Sequence, residues 1–376
     1  MSARTIVVTN DFPPRTGGIE SFVWSMIERL PPESVVVYTS RQGSAAAFDR
    51  ELPFPVVRDR APVLLPTPVT ARRAAEIARR HGCRQAWFGA AAPLGVLAPA
   101  LRSAGVRRSV ATTHGHEVWW AKTPGTRQVL HRIGEVNDVV TYLGEYTRSR
   151  IAPALSPEAA QRMRQLTPGV DERTFFPGSG GATVRAELGL GDRPVVVCVS
   201  RLVPRKGQDM LIRAMPLVRW RVHDAVLLVV GGGPMQRRLE ALASSLRLDD
   251  AVIFTGERPW GTLPPYFDAG DVFCMPARSR RGGLEVEGLG IVYLEASATG
   301  LPVVAGRSGG SPDAVRDGVT GFVVDGSSPE QIADRVSHLL LDRELAARMG
   351  AAGRAWVERN WRWDDLAARL QGLLAG

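Results

Sequence analysis

Residues 195–207 read VVVCVSRLVPRKG, an apolar and largely β-branched run that passes directly into a basic loop. Continuous apolar runs of this length are typical of strands buried on both faces of a parallel sheet. Gly207 ends the loop, and a helical pattern follows it. The strand–loop–helix order predicts one unit of a doubly wound α/β fold, whose ligands bind beyond the carboxyl ends of the strands.

The same alternation of strand and helix patterns runs through the whole chain. One clear helical stripe consists of Ile19, Phe22, Val23, Met26, Ile27 and Leu30. Strands are predicted at residues 5–9, 35–39, 85–88, 110–113 and 139–142, and then at 195–200, 226–230, 252–255, 272–275, 303–305 and 322–324. The alternation predicts two domains, each with a parallel sheet covered by helices on both faces.

A stretch rich in glycine and proline separates the two halves. Residues 168–183 read PGVDERTFFPGSGGAT and end in small residues, which is typical of a connection between domains. We expect a first domain at 1–170, a linker at 171–183 and a second domain at 184–355. A C-terminal helix at 356–376 can then pack back on the first domain.

Composition narrows the class of protein. The 376 residues are ordinary in hydrophobic content, and no apolar run reaches the length of a membrane span. The N-terminus enters a strand pattern without a signal peptide, and the three cysteines are scattered, so we expect a cytoplasmic protein. The net charge of +9 favours polyanionic ligands: nucleic acid, anionic lipid or phosphorylated molecules.

A pair of carboxylates, Glu287 and Glu295, lies in the stretch EGLGIVYLE. Glu20 and Glu28 have the same spacing on an amphipathic helix pattern, so the spacing alone is a weak signal. The context of the second pair is more specific, because Glu287 precedes a Gly-rich helix start. Backbone amides of residues 288–291 would face an anion there. The alternative is two solvated carboxylates on a helix.

Two further motifs are suited to phosphate. Arg201 and Lys206 lie in the basic loop, where an arginine can bind phosphate through two hydrogen bonds and a lysine adds charge. Gly17 and Gly18 close the first strand–helix turn, where a backbone without a side chain can approach a phosphate. The alternatives are an exposed basic turn and glycines needed for tight packing. The chain has neither a P-loop nor a GxGxxG fingerprint.

Residues 113–117, THGHE, follow a predicted strand. His114 and His116 would point to the same face of an extended segment. We expect His114 to form a hydrogen bond with a ligand hydroxyl. A metal site and a structural histidine are the alternatives. No D-x-D motif occurs anywhere in the chain, so a carboxylate-held metal ion is not indicated and no cofactor is expected.

A basic helix is predicted at residues 67–81. At 100° per residue, Arg72, Arg73, Arg79 and Arg80 fall within about 120° of one another, and the opposite face is mostly alanine. This pattern suits electrostatic binding to an anionic bilayer rather than deep insertion. A solvated cationic helix is the alternative.

Taken in order, these motifs resemble the retaining GT-B glycosyltransferases with the E-x7-E signature, glycosyltransferase family 4. The resemblance covers nearly the whole chain and includes PGVD, SRLVPRKG, VGGGP, FTG, DVFCMP and EGLGIVYLEA. It implies two Rossmann-like domains facing across a cleft, the first for the acceptor and the second for the nucleotide sugar. The strings NDFPPRTGGIESFV and GLEVEGLGIVYLEA are similar to actinobacterial enzymes that transfer mannose from GDP-mannose to phosphatidylinositol monomannoside in α-1,6 linkage.

The resemblance also implies roles for single residues. Glu287 would contact the transferred sugar and Glu295 the ribose, and the segment GERPW at 256–260 would face the base without distinguishing guanine from uracil. The implied catalytic residues are His114, with His116 as its rival, Glu287, Arg201 and Lys206. The implied donor-binding residues are Gly18, Arg201, Lys206, Gly256, Arg258, Gly288, Leu289, Gly290, Ile291 and Glu295.

Three functions are consistent with these residues and motifs. The first is retaining mannosyl transfer to a lipid acceptor at the cytosolic face of the plasma membrane, without a metal ion or a covalent enzyme nucleophile. The second is transfer from a UDP-sugar to a soluble acceptor. The third is a non-enzymatic polyanion-binding protein. Nucleic acid is disfavoured because the chain lacks aromatic interleaving, an RNP-like motif and a helix-turn-helix.

Overall fold

The structure is a computed structural model that describes residues 3–43, 45–283 and 285–376. It divides into two compact units. The first unit runs to Pro168 and also includes Trp363–Gly376, and the second comprises Gly169–Arg362. Each unit contains one parallel sheet with helices between its strands, so the predicted doubly wound α/β class is confirmed.

The sheet of the first unit has seven parallel strands in the order β3-β2-β1-β4-β5-β6-β7. The strands are β1 (Thr5–Thr9), β2 (Val35–Thr39), β3 (Val56–Arg58), β4 (Gln85–Phe88), β5 (Arg108–Thr112), β6 (Val139–Tyr142) and β7 (Arg164–Gln165). Side chains alternate between two buried layers: Ile6 and Val8 belong to one hydrophobic cluster and Val7 to the other. Both faces of this sheet are therefore covered.

Helices connect these strands. They are α1 (Gly18–Ile27), α2 (Ala45–Arg50), α3 (Pro68–Arg80), α4 (Ala98–Arg102), α5 (Glu117–Lys122), α6 (Thr126–Val136), α7 (Glu145–Ile151) and α8 (Pro157–Gln161). The N-terminus of α3 is capped by Thr67, whose hydroxyl accepts a hydrogen bond from the Thr70 amide at 3.2 Å.

The sheet of the second unit has six parallel strands in the order β10-β9-β8-β11-β12-β13. They are β8 (Val195–Val199), β9 (Val226–Val230), β10 (Val252–Phe254), β11 (Val272–Met275), β12 (Val303–Gly306) and β13 (Gly321–Val324). The helices are α9 (Gly181–Glu187), α10 (Gln208–Arg221), α11 (Gln236–Ser245), α12 (Pro264–Asp268), α13 (Ile291–Ala298), α14 (Pro329–Leu341) and α15 (Arg343–Asn360). After β8 the chain adds β9 and β10 on one side of that strand, and then β11, β12 and β13 on the other side. The order of the strands therefore reverses between β8 and β11, which is the topological switch point.

The boundary between the two units lies after Pro168, before the linker predicted at 171–183. That segment belongs to the second unit. Its amides at Gly178, Gly180 and Gly181 donate hydrogen bonds to the carboxylate of Asp268, at 2.7, 3.1 and 2.6 Å. This Gly- and Pro-rich segment is therefore a loop held by hydrogen bonds to the second unit rather than a flexible linker.

The single C-terminal helix predicted at 356–376 is not continuous in the structure. Residues 356–360 complete α15, and a separate helix, α16 (Trp363–Ala375), follows. Leu366, Leu370 and Leu374 of α16 are buried in the same cluster as Val7 of β1. This helix covers one face of the first sheet. In the described residues, no helix combines the length and the apolar character that crossing a bilayer demands.

Candidate active site

The basic loop of the second unit leaves the sheet at the switch point. Pro204–Lys206 forms a single 3-10 turn, and α10 starts at Gln208. Gly207 has φ +79°, and a Cβ at this position would overlap the carbonyl oxygen of Pro276. Only glycine fits this conformation. The glycine therefore fixes how the loop turns into the helix.

Lys206 and Glu287, predicted as site residues from separate motifs, form an ion pair. The distance from Lys206 Nζ to Glu287 Oε2 is 2.7 Å, and both side chains are buried. Arg205 Nε lies 3.9 Å from the same oxygen. The backbone of Glu287 is held by the loop after β12, because its amide donates to Ser308 Oγ at 3.2 Å and its carbonyl accepts from the Gly310 amide at 2.8 Å.

The start of α13 presents free backbone donors. Helix α13 begins at Ile291, after Gly290 with φ +83°. The amides of residues 288–291 have no acceptor among the described residues. Arg201 is exposed, and its guanidinium likewise has no partner within the described ranges. Free amides at a helix start are suited to an anion, and so is an exposed guanidinium such as that of Arg201.

Glu295 lies one turn into α13 and is buried. Burial raises the pKa of its carboxyl to about 7, while a hydrogen bond from Trp260 and the charge of Lys206 oppose the rise. Trp260 Nε1 donates to Glu295 Oε1 at 3.2 Å, and Trp260 as a residue is 57% exposed. An ionised Glu295 has lone pairs left for ligand hydroxyls. Trp260 lies in the predicted base segment GERPW, and nothing in the sequence indicates its hydrogen bond to Glu295.

The predicted base segment holds two further donor-site candidates. Gly256 has φ +72°, and its carbonyl accepts a hydrogen bond from the Gly231 amide at 2.9 Å. Arg258 is exposed, and its guanidinium carbon lies 5.5 Å from the centre of the Tyr266 ring. These contacts hold the segment beside the ends of β9 and β10.

The glycine pair of the first unit has two different environments. A Cβ on Gly17 would overlap the carboxylate of Glu20, whereas a Cβ on Gly18 would meet nothing within 4 Å. The side chain of Glu20 therefore occupies the space beside Gly17, whereas the space beside Gly18 is open to a ligand. Glu20, on the predicted amphipathic helix, is buried and lies 3.0 Å from Arg15 Nε.

His114 and His116 also differ. The ring of His114 packs edge-on against Phe22, and its Nε2 lies 2.6 Å from the carbonyl oxygen of Gly89. Since a carbonyl only accepts, Nε2 carries the proton. Burial lowers the pKa of His114, so the ring is neutral near pH 7, and Nδ1, which has no partner among the described residues, can accept a hydrogen bond. His116 is exposed. A hydrogen bond and a ring contact orient His114, whereas His116 lies 3.4 Å from Oε1 of Glu117.

Carboxylates near His114 were missed as site candidates. Glu117 is fully buried, and its Oε2 accepts from the amides of His114 at 2.9 Å and Gly115 at 3.1 Å. Burial, together with the charge of Glu20, raises the pKa of Asp11. The sequence feature that could have identified Glu117 is its position in the motif THGHE, directly after the end of a strand. The part of the chain that the structure describes contains no group of three His, Cys, Asp or Glu placed for a metal ion.

The predicted basic helix is α3, and its four arginines are exposed while Ala74, Ala75, Ile77 and Ala78 are buried. The structure adds an apolar feature that the sequence reading did not include. Three side chains at and before the start of α3 are largely exposed: Val63 (50%), Leu65 (56%) and Val69 (62%). Large apolar side chains grouped in this way mark interaction surfaces.

Comparison with known proteins identifies the family. A profile described as "Glycosyl transferases group 1" matches residues 182–356. The Mycobacterium tuberculosis protein named GDP-mannose-dependent alpha-(1-6)-phosphatidylinositol monomannoside mannosyltransferase is 49% identical, covering 100% of this chain and 98% of its own. The protein of the same name from Mycolicibacterium smegmatis is 50% identical over 99% and 98%. This chain belongs to the group 1 glycosyl transferases.

Solved structures of other proteins have the same fold. The Anabaena protein HepE, crystallised with UDP, superposes with a TM-score of 0.80 at 19% identity, covering 99% of both chains. WaaG, a glycosyltransferase of lipopolysaccharide biosynthesis, gives 0.65 at 20% identity, covering 99% of this chain and 100% of its own. The group 1 glycosyl transferase described here therefore has the GT-B fold, as the sequence predicts.

Proposed function

We propose that this enzyme transfers mannose from GDP-mannose to phosphatidylinositol monomannoside with an α-1,6 linkage. The observation that carries the proposal is identity of about one half, over the full length, to proteins named for that reaction. The site is in keeping with a nucleotide-sugar donor: buried Glu287 lies beside Lys206 and Arg205, just before a helix start whose amides have no acceptor among the described residues. Carboxylates suit sugar hydroxyls, and cations with amides suit a diphosphate.

In the proposed reaction, the bond between the mannose C1 and the β-phosphate oxygen breaks and a bond from C1 to the acceptor oxygen forms. The bonding electrons leave with GDP, and negative charge grows on its β-phosphate. Arg201, Lys206 and the amides of 288–291 stabilise this charge more strongly than they stabilise the bound donor. A phosphate oxygen takes the proton of the acceptor hydroxyl. Glu287 orients the mannose and Glu295 the ribose, and no metal ion is required.

Residues of the first unit support the substrate in this proposal. Nδ1 of neutral His114 accepts a hydrogen bond from a substrate hydroxyl. The open position at Gly18 leaves room for a phosphate to approach the backbone. Neither role needs a proton from His114, because its pKa is lowered.

The lipid acceptor requires the enzyme to work at a membrane surface, and we place it at the cytosolic face. Arg72, Arg73, Arg79 and Arg80 supply positive charge on one exposed helix face. The exposed Val63, Leu65 and Val69 add apolar area next to it. Charge attracts the protein to anionic lipid, and apolar side chains that enter the interface add to the binding.

The test begins with the donor. Calorimetry with GDP, UDP and ADP should detect tight binding of GDP alone, and radiolabelled GDP-mannose should then label phosphatidylinositol monomannoside in anionic vesicles. Free inositol and unmannosylated phosphatidylinositol serve as acceptor controls. Preference for UDP, with transfer to a soluble acceptor, would overturn the proposal in favour of the UDP-sugar alternative.

A further inference from the structure

Glu117 has no role in the chemistry described above, although it is one of the most deeply buried carboxylates of the first unit. It is the first residue of α5, directly after the turn that follows β5. Its Oε2 accepts from the amides of His114 and Gly115, and its Oε1 lies 3.4 Å from Nε2 of His116 without accepting a hydrogen bond among the described residues. Burial of a carboxylate is costly unless its contacts compensate. All of these contacts are with residues 114–116, which directly precede Glu117.

Three contacts determine where His114 points. Nε2–H donates to the Gly89 carbonyl, the ring meets Phe22 edge-on with centroids 5.0 Å apart, and the backbone amide donates to Glu117. Gly115 has φ +97°, which turns the chain so that two successive amides reach one carboxylate oxygen. Gly89 and Phe22 fix the ring, and Glu117 fixes the backbone that carries it.

We propose that Glu117 is a positioning residue, which holds the turn at 114–117 and thereby directs Nδ1 of His114 toward the substrate. The inference rests on the proposed function in one respect, because that function supplies the hydroxyl that His114 contacts. What the turn requires is an acceptor oxygen at the position of Oε2. Glutamine provides this oxygen, whereas alanine leaves two amides without an acceptor.

Steady-state kinetics of a double-mutant cycle test the proposal. Glu117→Ala should lower kcat by about 10–100-fold, as expected for a displaced active-site group, with KM for GDP-mannose nearly unchanged. Glu117→Gln should stay within about fivefold of wild type. In a His114→Ala background, Glu117→Ala should cost less than about twofold, because its effect passes through His114.

Two results would overturn the positioning role. One is an equal loss from Glu117→Ala in both backgrounds, and the other is a glutamine variant as slow as the alanine variant. Glu145→Ala is the matched control, because Glu145 is the first residue of α7 as Glu117 is of α5, but is exposed. If the alanine variant does not fold, Glu117→Asp replaces it, since its shorter carboxylate cannot reach both amides.

A measurement without substrate separates this inference from the proposed function. In protein labelled with ¹³C at histidine Cε1, the signal missing from His114→Ala identifies His114 among the six histidines. Glu117→Ala and Glu117→Gln both remove the charge, so a difference between them reports geometry. The signal should move in the alanine variant and stay in the glutamine variant, even if GDP-mannose is not the donor. An identical shift in both variants would refute the positioning role.

Discussion

The ammonium group of Lys206 lies 2.7 Å from Oε2 of Glu287, and both side chains are buried. Each charge offsets part of the desolvation of the other. Because Lys206 is also proposed to bind the donor diphosphate, donor binding must share or replace this ion pair. Variants of the two residues therefore test the donor site and its stability together.

Arg201 and Lys206 should contribute similarly to catalysis and differently to stability. Loss of either cation, in Arg201→Ala or Lys206→Ala, should reduce kcat on the order of 10²–10³-fold, as for a donor that stabilises developing charge. Arg201 is exposed, so its variant should unfold at the wild-type temperature. Lys206→Ala leaves the buried Glu287 with only the more distant Arg205, at 3.9 Å, and should lose up to about 3–5 kcal/mol of unfolding free energy.

Kinetics and urea unfolding measure both effects. The double variant Lys206→Met with Glu287→Gln removes both charges at similar volume, so it should recover most of the stability and none of the activity. A Lys206→Ala protein that is as stable as wild type would contradict the ion pair. A kcat/KM near wild type would remove that residue from the proposed phosphate clamp.

The two glutamates should separate in their effects on GDP. Glu295→Ala should weaken the binding of free GDP, since its proposed ribose contact does not involve the sugar. Glu287→Ala should slow mannose transfer and leave GDP affinity nearly unchanged. Calorimetry with GDP, paired with transfer assays, distinguishes the roles. Equal losses of GDP affinity in both variants would rule out this division.

Affinity for GDP should rise with pH through neutrality. Burial raises the pKa of Glu295 to about 7, so its carboxyl is largely protonated below that pH. The ionised form accepts hydrogen bonds from ribose hydroxyls with both oxygens, whereas the protonated form has lost part of that capacity. Affinity should therefore increase up to about tenfold between about pH 6 and pH 8. Calorimetry of Glu295→Gln gives the remaining pH dependence, including the GDP phosphates, and an equal slope there would refute the assignment.

The sequence predicted most strands because their apolar runs are buried on both faces. Strands β1, β2, β4 and β6 begin and end where the runs at 5–9, 35–39, 85–88 and 139–142 predict. The patterns missed β3 and β7, which have three and two residues and lie at the edges of the sheet. Such strands bury too little apolar surface to leave a pattern.

Residues of the candidate site could be predicted where a local motif indicated what they bind. Contacts between residues that are far apart in the sequence could not be predicted. Glu287, Glu295 and Lys206 were all named from local context. The hydrogen bond from Trp260 to Glu295 joins residues 35 positions apart, and no local pattern encodes it. The buried state of Glu117 depends on the amides of its own turn, which become visible only once the backbone of that turn is known.

Activity should not depend on a metal ion, because in the proposed site Arg201 and Lys206 supply the positive charge that a metal ion would supply at the diphosphate. Transfer of mannose should continue at its full rate in excess EDTA. The same assay with added Mg²⁺ or Mn²⁺ should show no increase. Loss of activity in EDTA, restored by either ion, would mean that the diphosphate site has been misread.

Membrane binding should depend on both charge and apolar side chains near α3. Each arginine contributes about 1 kcal/mol near an anionic surface, so replacing Arg72 and Arg73 by glutamine should weaken binding to anionic vesicles on the order of tenfold or more. The loss should shrink as salt increases. Arg237→Gln with Arg238→Gln is the matched control, since that pair is also adjacent and exposed on a helix, α11.

The apolar component should survive high salt. Replacing Val63, Leu65 and Val69 by serine removes exposed apolar side chains, which cover none of the core, so folding and GDP binding should be unchanged. Vesicle binding that remains at high salt should fall in this variant, because the hydrophobic contribution is not screened. Sedimentation with vesicles, followed by transfer to the lipid acceptor, measures both consequences. If neither this variant nor the arginine variant binds less than wild type, this face is an ordinary solvated surface and the acceptor must be reached by another route.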